Sequence, residues 1–232
     1  MTEKQRNNAE MFDQIAGTYD FLNHLLSFNI DRRWRRKAVN TLRDLRPRRI
    51  LDVATGTADL ALAAMKLDPD EIIGVDVSPK MLEIARQKVK KRNLADKIRL
   101  LEAPCENLPF EPERFDAAMV AFGVRNFDDP QKGLSELYRV LRAGGRLVVL
   151  EFSLPRNRLM LSLYRFYFHR LLPRIGKWFS KDFPAYRYLP DSVEQFPKGT
   201  AFTGMMEQAG FRETTYRPLT GGICGLYTGT KK

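Results

Sequence analysis

Five short apolar runs, at 49–53, 72–75, 98–102, 115–121 and 146–151, alternate with stretches that carry apolar residues at helical spacing, at 59–66, 79–92 and 130–141. Runs this short, bounded by turn residues, read as strands, and the intervening periodicity reads as amphipathic helix. Strands that alternate with helices pair in parallel through right-handed crossovers. The expectation is therefore an α/β, Rossmann-like, doubly wound sheet with helices on both faces. Ser78-Pro79 supplies an N-cap and a first-turn proline, and Ala143-Gly144-Gly145 supplies a turn before the fifth run. Further on, 200–209 reads as a helix ended by Gly210, and 211–217 and 225–230 read as two strands that pair like a hairpin, making seven in all.

In front of the alternation, Met11, Phe12, Ile15, Tyr19, Leu22, Leu25 and Leu26 mark an amphipathic helix or two. Asp31 is the expected N-cap of a further helix running to about Leu45, closed by Pro47. With no repeat and no linker, 1–232 is expected to be a single domain with an N-terminal helical cap at 1–46 and an insertion at 152–199. Hydrophobic content of 44% and ordinary glycine and proline usage exclude a disordered or collagen-like chain.

Cys105, Cys224, His24 and His169 are the whole stock of cysteine and histidine, and their spacing supports no metal site. No apolar stretch approaches the ~18 residues of a membrane span, and Met1 to Asn8 is polar. A cytoplasmic protein, soluble or peripherally attached to the inner face of a membrane, is expected. The net charge of +11 calls for an anionic partner. Seven basic residues and no acidic one lie between Arg156 and Lys181, interleaved with aromatics and leucines, and Arg32, Arg33, Arg35, Arg36 and Lys37 form a second cluster. The first pattern suits an acidic lipid surface, and equally a helix that packs its apolar sides and shows a polar stripe to solvent.

In an open parallel sheet, ligands bind at the carboxyl ends of the strands where the strand order reverses. Asp52, Gly56, Thr57, Asp59, Asp76, Pro104, Cys105 and Glu106 all fall at or just after predicted strand ends. Asp76, 24 residues beyond Asp52, stands about where a carboxylate accepts hydrogen bonds from both ribose hydroxyls. The first turn, A-T-G-T-A-D, lacks the three glycines of a dinucleotide site, and Asp59 at the start of the helix would repel a pyrophosphate. An acidic loop suits instead the sulfonium and ammonium groups of S-adenosylmethionine, although Asp59 alone also serves as an acidic N-cap.

The strings L-D-V-A-T-G-T-A-D-L at 51–60, G-V-D-V-S-P-K-M-L at 74–82, E-N-L-P-F at 106–110, A-F-G-V-R-N at 121–126 and L-R-A-G-G-R-L-V-V-L-E-F at 141–152 resemble class I S-adenosylmethionine-dependent methyltransferases. With Phe12 to Asp20, Asn29 to Arg36, Tyr186 to Ser192 and Leu219 to Gly222, the chain more narrowly resembles the UbiE/COQ5 family, which methylates a quinol ring carbon in menaquinone or ubiquinone biosynthesis. The resemblance implies a seven-stranded class I methyltransferase fold with S-adenosylmethionine as cofactor. It places cofactor contacts at Thr57, Asp76, Pro104, Cys105 and Ala121. Some members carry a serine where Ala121 stands, so a side-chain contact there is lost, and Pro104 has no N–H to offer.

The resemblance further implies demethylmenaquinol as substrate, a prenylated and hence membrane-bound molecule, with a dual role in ubiquinone synthesis as the alternative. Methylating a quinol carbon requires its oxygen to become phenolate-like. Neither histidine lies at a strand end, so Arg125 is the expected group stabilising that oxyanion, with Asn126 orienting the site. A structural ion pair is the competing role for Arg125. Tyr19, Tyr186 and Tyr188 are candidates for the quinone pocket. An RNA or DNA methyltransferase is the rival enzyme favoured by charge, but 121–126 is not the N-P-P-Y type of base-holding motif and no nucleic acid is expected. A non-catalytic lipid-binding protein is the rival of another class, and self-association into a homo-oligomer is left open.

Overall fold

The computed structural model describes residues 2–27, 29–155, 157–166 and 192–232, with the side chains of 18–26, 159, 160, 163 and 165 outside the description. Seven strands form one sheet: β1 (Arg49–Val53), β2 (Glu71–Asp76), β3 (Ile98–Glu102), β4 (Phe115–Ala121), β5 (Leu141–Phe152), β6 (Arg212–Leu219) and β7 (Cys224–Thr230). Their spatial order is β3-β2-β1-β4-β5-β7-β6. Strands β1 to β5 pair in parallel, and β7 runs antiparallel to both β5 and β6, as the hairpin reading of the last two strands requires.

The helices are α1 (Glu3–Leu26), α2 (Ile30–Asn40), α3 (Asp59–Ala64), α4 (Pro79–Lys91), α5 (Pro130–Val140), α6 (Arg158–Phe166) and α7 (Thr200–Gln208). Side chains alternate between the two faces of a strand, so the sheet separates two cores. Leu51, Val53, Val75, Val120 and Val149 pack toward Leu134 and Leu137 of α5 and Phe202 of α7. Ile50, Ile72, Met119 and Val148 pack toward Trp34 and Val39 of α2 and Ala85 of α4.

Local chemistry explains the helix ends. The Ser78 hydroxyl accepts the Met81 N–H at 3.1 Å, and the Asp129 carboxylate accepts the Lys132 N–H at 3.0 Å. Gly210, at φ 106°, ends α7, with the Phe211 N–H bonded to the Met206 carbonyl at 3.0 Å.

Three boundaries differ from the sequence reading, each because a distant residue intervenes. Asp31 is no N-cap: Asn29 holds that place at φ 58°, while Asp31 lies buried in the first turn, accepts the Ser27 hydroxyl at 2.7 Å and pairs with Arg35 one turn on. Helix α2 stops at Asn40 rather than near Leu45, because the guanidinium of Arg146 takes the Thr41 carbonyl and pairs with Asp44 at 2.8 Å. Strand β5 starts at Leu141 rather than Arg146. The backbone of Gly144 and Gly145 pairs with Lys231 at 2.7 and 2.9 Å, which holds 142–145 in the sheet as a bulge. The insertion at 152–199 is described only at 152–155, 157–166 and 192–199, so most of its basic and aromatic run lies outside the described residues.

Trp34 seats the N-terminal cap on the sheet. Its ring lies 6.1 Å from Phe122 and 6.3 Å from Phe152, and its indole N–H donates to the Thr220 hydroxyl at 2.8 Å. Urea unfolding of Trp34→Ala is expected to show a loss of ~3–5 kcal/mol, the usual cost of deleting a buried aromatic. Trp34→Phe, which keeps most of the ring, is expected to lose about 1 kcal/mol for the hydrogen bond.

Candidate active site

Strand order reverses at β1, whose neighbours β2 and β4 leave in opposite directions, and the crevice beyond their carboxyl ends holds two connected spaces. An open cleft of about 680 Å³ is lined by residues that include Gly56, Asp76, Cys105, Ala121, Phe122 and Asn126. A smaller pocket of about 320 Å³ is lined by Arg35, Asp52, Thr55, Thr57 and Asp59 among others. Ala54, Gly56 and Ala121 border both.

The loop after β1 sits between them and is held in sparsely populated backbone conformations. Ala54, Gly56 and Ala58 all have positive φ, at 52°, 54° and 67°. Above Gly56 a Cβ would meet nothing within 4 Å, so the loop presents bare backbone to open space, as close approach by a ligand requires. Gly123 answers a different need. A Cβ there would stand 2.4 Å from the Cβ of Ala54, so only glycine lets the loop after β4 close against the loop after β1.

Asp52 is 1% exposed. One of its oxygens accepts the Thr55 hydroxyl at 2.7 Å and the Ala61 N–H at 3.0 Å, and the other has no hydrogen-bond partner. Burial pushes its pKa up to about 7 against the pull of these bonds. Asp76 accepts the N–H groups of Gly56 at 2.8 Å and Ser78 at 3.0 Å, and burial raises its pKa as well. Asp59 pairs with Lys88 at 2.7 Å, and the same ammonium donates to the Thr57 hydroxyl at 2.9 Å. Lys88 therefore neutralises the acidic loop residue on which the sequence reading leaned, and the bare carboxylate of the loop is Asp52.

The other expected residues divide. Cys105 borders the cleft, its thiol kept neutral by burial, whereas Pro104 stands before the turn at 105–107 and borders neither space. Asn126 lines the cleft. Arg125 does not: its guanidinium donates to Glu151 at 2.7 Å and to the Phe122 carbonyl at 2.5 Å, with both partners of the ion pair buried. Tyr19 lies in α1 with its side chain outside the description, and Tyr186 and Tyr188 lie outside the described residues.

Three contributors had no role in the sequence reading. Gln5 and Asn8 bring α1 onto the cleft, Gln5 donating to buried Glu106 at 2.9 Å and Asn8 to the Asn126 carbonyl at 2.8 Å. Arg35 reaches the smaller pocket from α2. Its only sequence signal was membership of the block Asn29 to Arg36, where four arginines look alike.

The spaces fit S-adenosylmethionine. Asp76 borders the larger space where a ribose is expected, backbone is bared at Gly56, and an unsatisfied buried carboxylate oxygen at Asp52 marks a place for a polar ligand group. Residues 1–231 match the model of the ubiE/COQ5 methyltransferase family. The chain belongs to that family.

Its relatives include a Bacteroides fragilis protein named demethylmenaquinone methyltransferase, 48% identical and aligned over 99% of this chain and 94% of its own length. Proteins named ubiquinone/menaquinone biosynthesis C-methyltransferase UbiE are also similar. The one from Geobacter sulfurreducens is 50% identical over 100% of this chain and 91% of its own, and the one from Syntrophotalea carbinolica 53% identical over 97% and 94%. Among solved structures, an S-adenosylmethionine-dependent methyltransferase from Thermotoga maritima superposes with a TM-score of 0.65 at 22% identity, covering 97% of this chain and 99% of its own, which shows a shared fold. This ubiE/COQ5 methyltransferase is an enzyme with the class I fold, and S-adenosylmethionine is its cofactor.

Two outcomes follow from the loops after β1 and β4. Gly123→Ala, which forces Ala54 away, is expected to lower affinity for S-adenosylhomocysteine at least ~10-fold by titration calorimetry, the effect of about 1.4 kcal/mol. The folded state holds a proton on Asp52 that the unfolded chain, with the ordinary carboxylate value of 3.8, releases earlier. Asp52 stability is thus fully present below pH ~4 and is lost as the pH rises toward about 7. Asp52→Asn removes this loss, so the melting temperature of the ligand-free variant relative to the natural chain should climb between pH 4 and 7 and level off above.

Proposed function

We propose that the protein transfers a methyl group from S-adenosylmethionine to a ring carbon of demethylmenaquinol, giving menaquinol. The observation that carries this reading is the 48% identity, over nearly the full length of both chains, to a protein named demethylmenaquinone methyltransferase. Relatives named for ubiquinone and menaquinone together support a second reading, in which a ubiquinol precursor is also accepted.

When bound, the cofactor supplies an electrophilic methyl on its sulfonium. The chain's part is to place the quinol carbon in line with it, exclude water, and favour the phenolate that makes the carbon nucleophilic. Alignment of this kind is worth ~7–11 kcal/mol in well-oriented systems. Phe12, Phe122 and Phe127 give the cleft apolar walls suited to a flat ring and a dry reaction. Cys105 and Tyr164 are poor proton acceptors, since burial holds both pKa values above the ordinary range and keeps the groups protonated. Arg125 is proposed to hold the developing oxyanion, with Glu151 and the Phe122 carbonyl fixing the guanidinium, and Asn126 to orient the ring. Tyr19, Tyr186 and Tyr188 remain candidates for the wall around the ring.

A prenylated substrate resides in a membrane, and the proposed location is the inner face of that membrane. No described helix is long and apolar enough to cross a bilayer. The outer face of α2 offers exposed Arg32, Arg33, Arg36 and Lys37, and Phe166 of α6 is 60% exposed, so charge and an apolar anchor are both present for peripheral contact.

The test is methyl transfer from labelled S-adenosylmethionine to reduced and oxidised demethylmenaquinone in acidic-lipid vesicles. Label is expected on a ring carbon with the reduced form only, and labelling of neither form in a chain that binds cofactor would sink the reading. Arg125→Gln is expected to lower kcat at least ~100-fold, the scale of one oxyanion donor, with S-adenosylhomocysteine affinity within about threefold of the natural chain. Full turnover by this variant would reduce Arg125 to a structural ion pair.

A further inference from the structure

Buried polar groups in folded chains nearly always find partners, so those that do not mark places built for something else. Two of them here, Arg35 Nε and Asp52 Oδ1, belong to residues lining the same 320 Å³ pocket. Arg35 is 8% exposed and Asp52 1%, so solvent does not satisfy either. One is a cationic donor and the other an anionic acceptor.

Each of these groups is anchored on one side by the protein and open on the other. The Arg35 guanidinium pairs through Nη1 with Asp31 and stacks over the Phe122 ring at 5.5 Å. The second Asp52 oxygen is taken by Thr55 and Ala61. The other carboxylate of the pocket, Asp59, is neutralised by Lys88. The pocket therefore presents one positive and one negative group with unused hydrogen-bonding capacity, beside the bare backbone of Gly56 and next to the cleft that holds Asp76.

We propose that Arg35 and Asp52 form the subsite for the zwitterionic amino-acid end of the cofactor, Arg35 binding the α-carboxylate and Asp52 the α-ammonium. The inference rests on the cofactor assignment above and deepens it. A guanidinium matches a carboxylate in shape and charge, and a desolvated carboxylate is a strong acceptor for an ammonium. With the nucleoside in the larger space and the amino acid in the smaller one, the sulfur is brought to the shared border at Ala54, Gly56 and Ala121. Because Arg35 comes from α2, the cofactor is clamped between the N-terminal cap and the sheet.

The test is titration calorimetry at pH 8 with three probes: S-adenosylhomocysteine, its decarboxylated analogue, and 5′-methylthioadenosine, which lacks the amino-acid end. The natural chain is expected to bind S-adenosylhomocysteine at least ~10-fold more tightly than the decarboxylated analogue, the usual effect of a lost charge-assisted hydrogen bond. Arg35→Gln should abolish that preference and leave 5′-methylthioadenosine binding within about twofold. Asp52→Asn should weaken S-adenosylhomocysteine by a similar factor and spare 5′-methylthioadenosine. Equal affinity of the natural chain for S-adenosylhomocysteine and its decarboxylated analogue overturns the proposal without any variant, so a variant that fails to fold leaves it decidable. Equal losses for S-adenosylhomocysteine and 5′-methylthioadenosine in Arg35→Gln also overturn it, since the arginine would then only support the fold. Binding of no probe by the natural chain would overturn the cofactor assignment itself.

Discussion

The reversal of strand order at β1 is the constraint around which this molecule is built. A strand with parallel neighbours on both sides and a layer of helices over each face loses its water entirely, and Ile50, Leu51 and Val53 are at most 1% exposed. Asp52 is carried into that dry environment by its place in the strand. A carboxylate so placed costs stability unless it is bonded, and here Thr55 and Ala61 satisfy only part of it. The same two bonds hold the loop in its left-handed turns and keep Gly56 bare. Gly123 completes the arrangement from the β4 side by removing the one side-chain carbon that would keep the loops apart.

The N-terminal helices are attached to this centre by different physics. Helix α2 docks through Trp34, Ala38 and Val39, which are nearly fully buried, so its position is set by packing. Helix α1 reaches the cleft through hydrogen bonds: Lys4 to the Phe127 carbonyl, Gln5 to Glu106, Asn8 to the Asn126 carbonyl and Asp13 to the Ser78 hydroxyl. Such bonds contribute ~0.5–1.5 kcal/mol each, because water competes for the same groups. Cofactor-facing residues thus stand on a firmly packed helix at Arg35 and on a lightly held one at Gln5 and Asn8.

Charge placement follows the same logic of burial. Arg125 and Glu151 satisfy each other in a nearly dry setting, where losing one partner typically costs 3–5 kcal/mol. Lys88 gathers Thr57 and Asp59 at the rim of the smaller pocket, leaving the negative character of the crevice to Asp52 and Asp76. An acidic turn read from the sequence as three or four equivalent carboxylates is in the folded chain a graded set, in which depth decides which ones matter.

Much of the architecture was legible in the chain. The alternation of short apolar runs and helical stretches reports the class of sheet because period-2 and period-3.6 burial leave local traces, and Ser78 and Gly210 act on the backbone within a few residues of themselves. The placement of Asp52, Gly56 and Asp76 at strand ends followed from the same local reading. The end of α2, the bulge at 142–145 and the role of Asp31 did not, since they depend on Arg146, Lys231 and Arg35, whose approach no local period encodes. By itself the sequence determined which elements form and which chemical groups stand at their ends. Only the tertiary structure decided which groups meet, that Lys88 quenches Asp59, that Glu151 holds Arg125 and that Arg35 shares a pocket with Asp52, because a charge acts according to the partners and the water that folding brings to it or takes away.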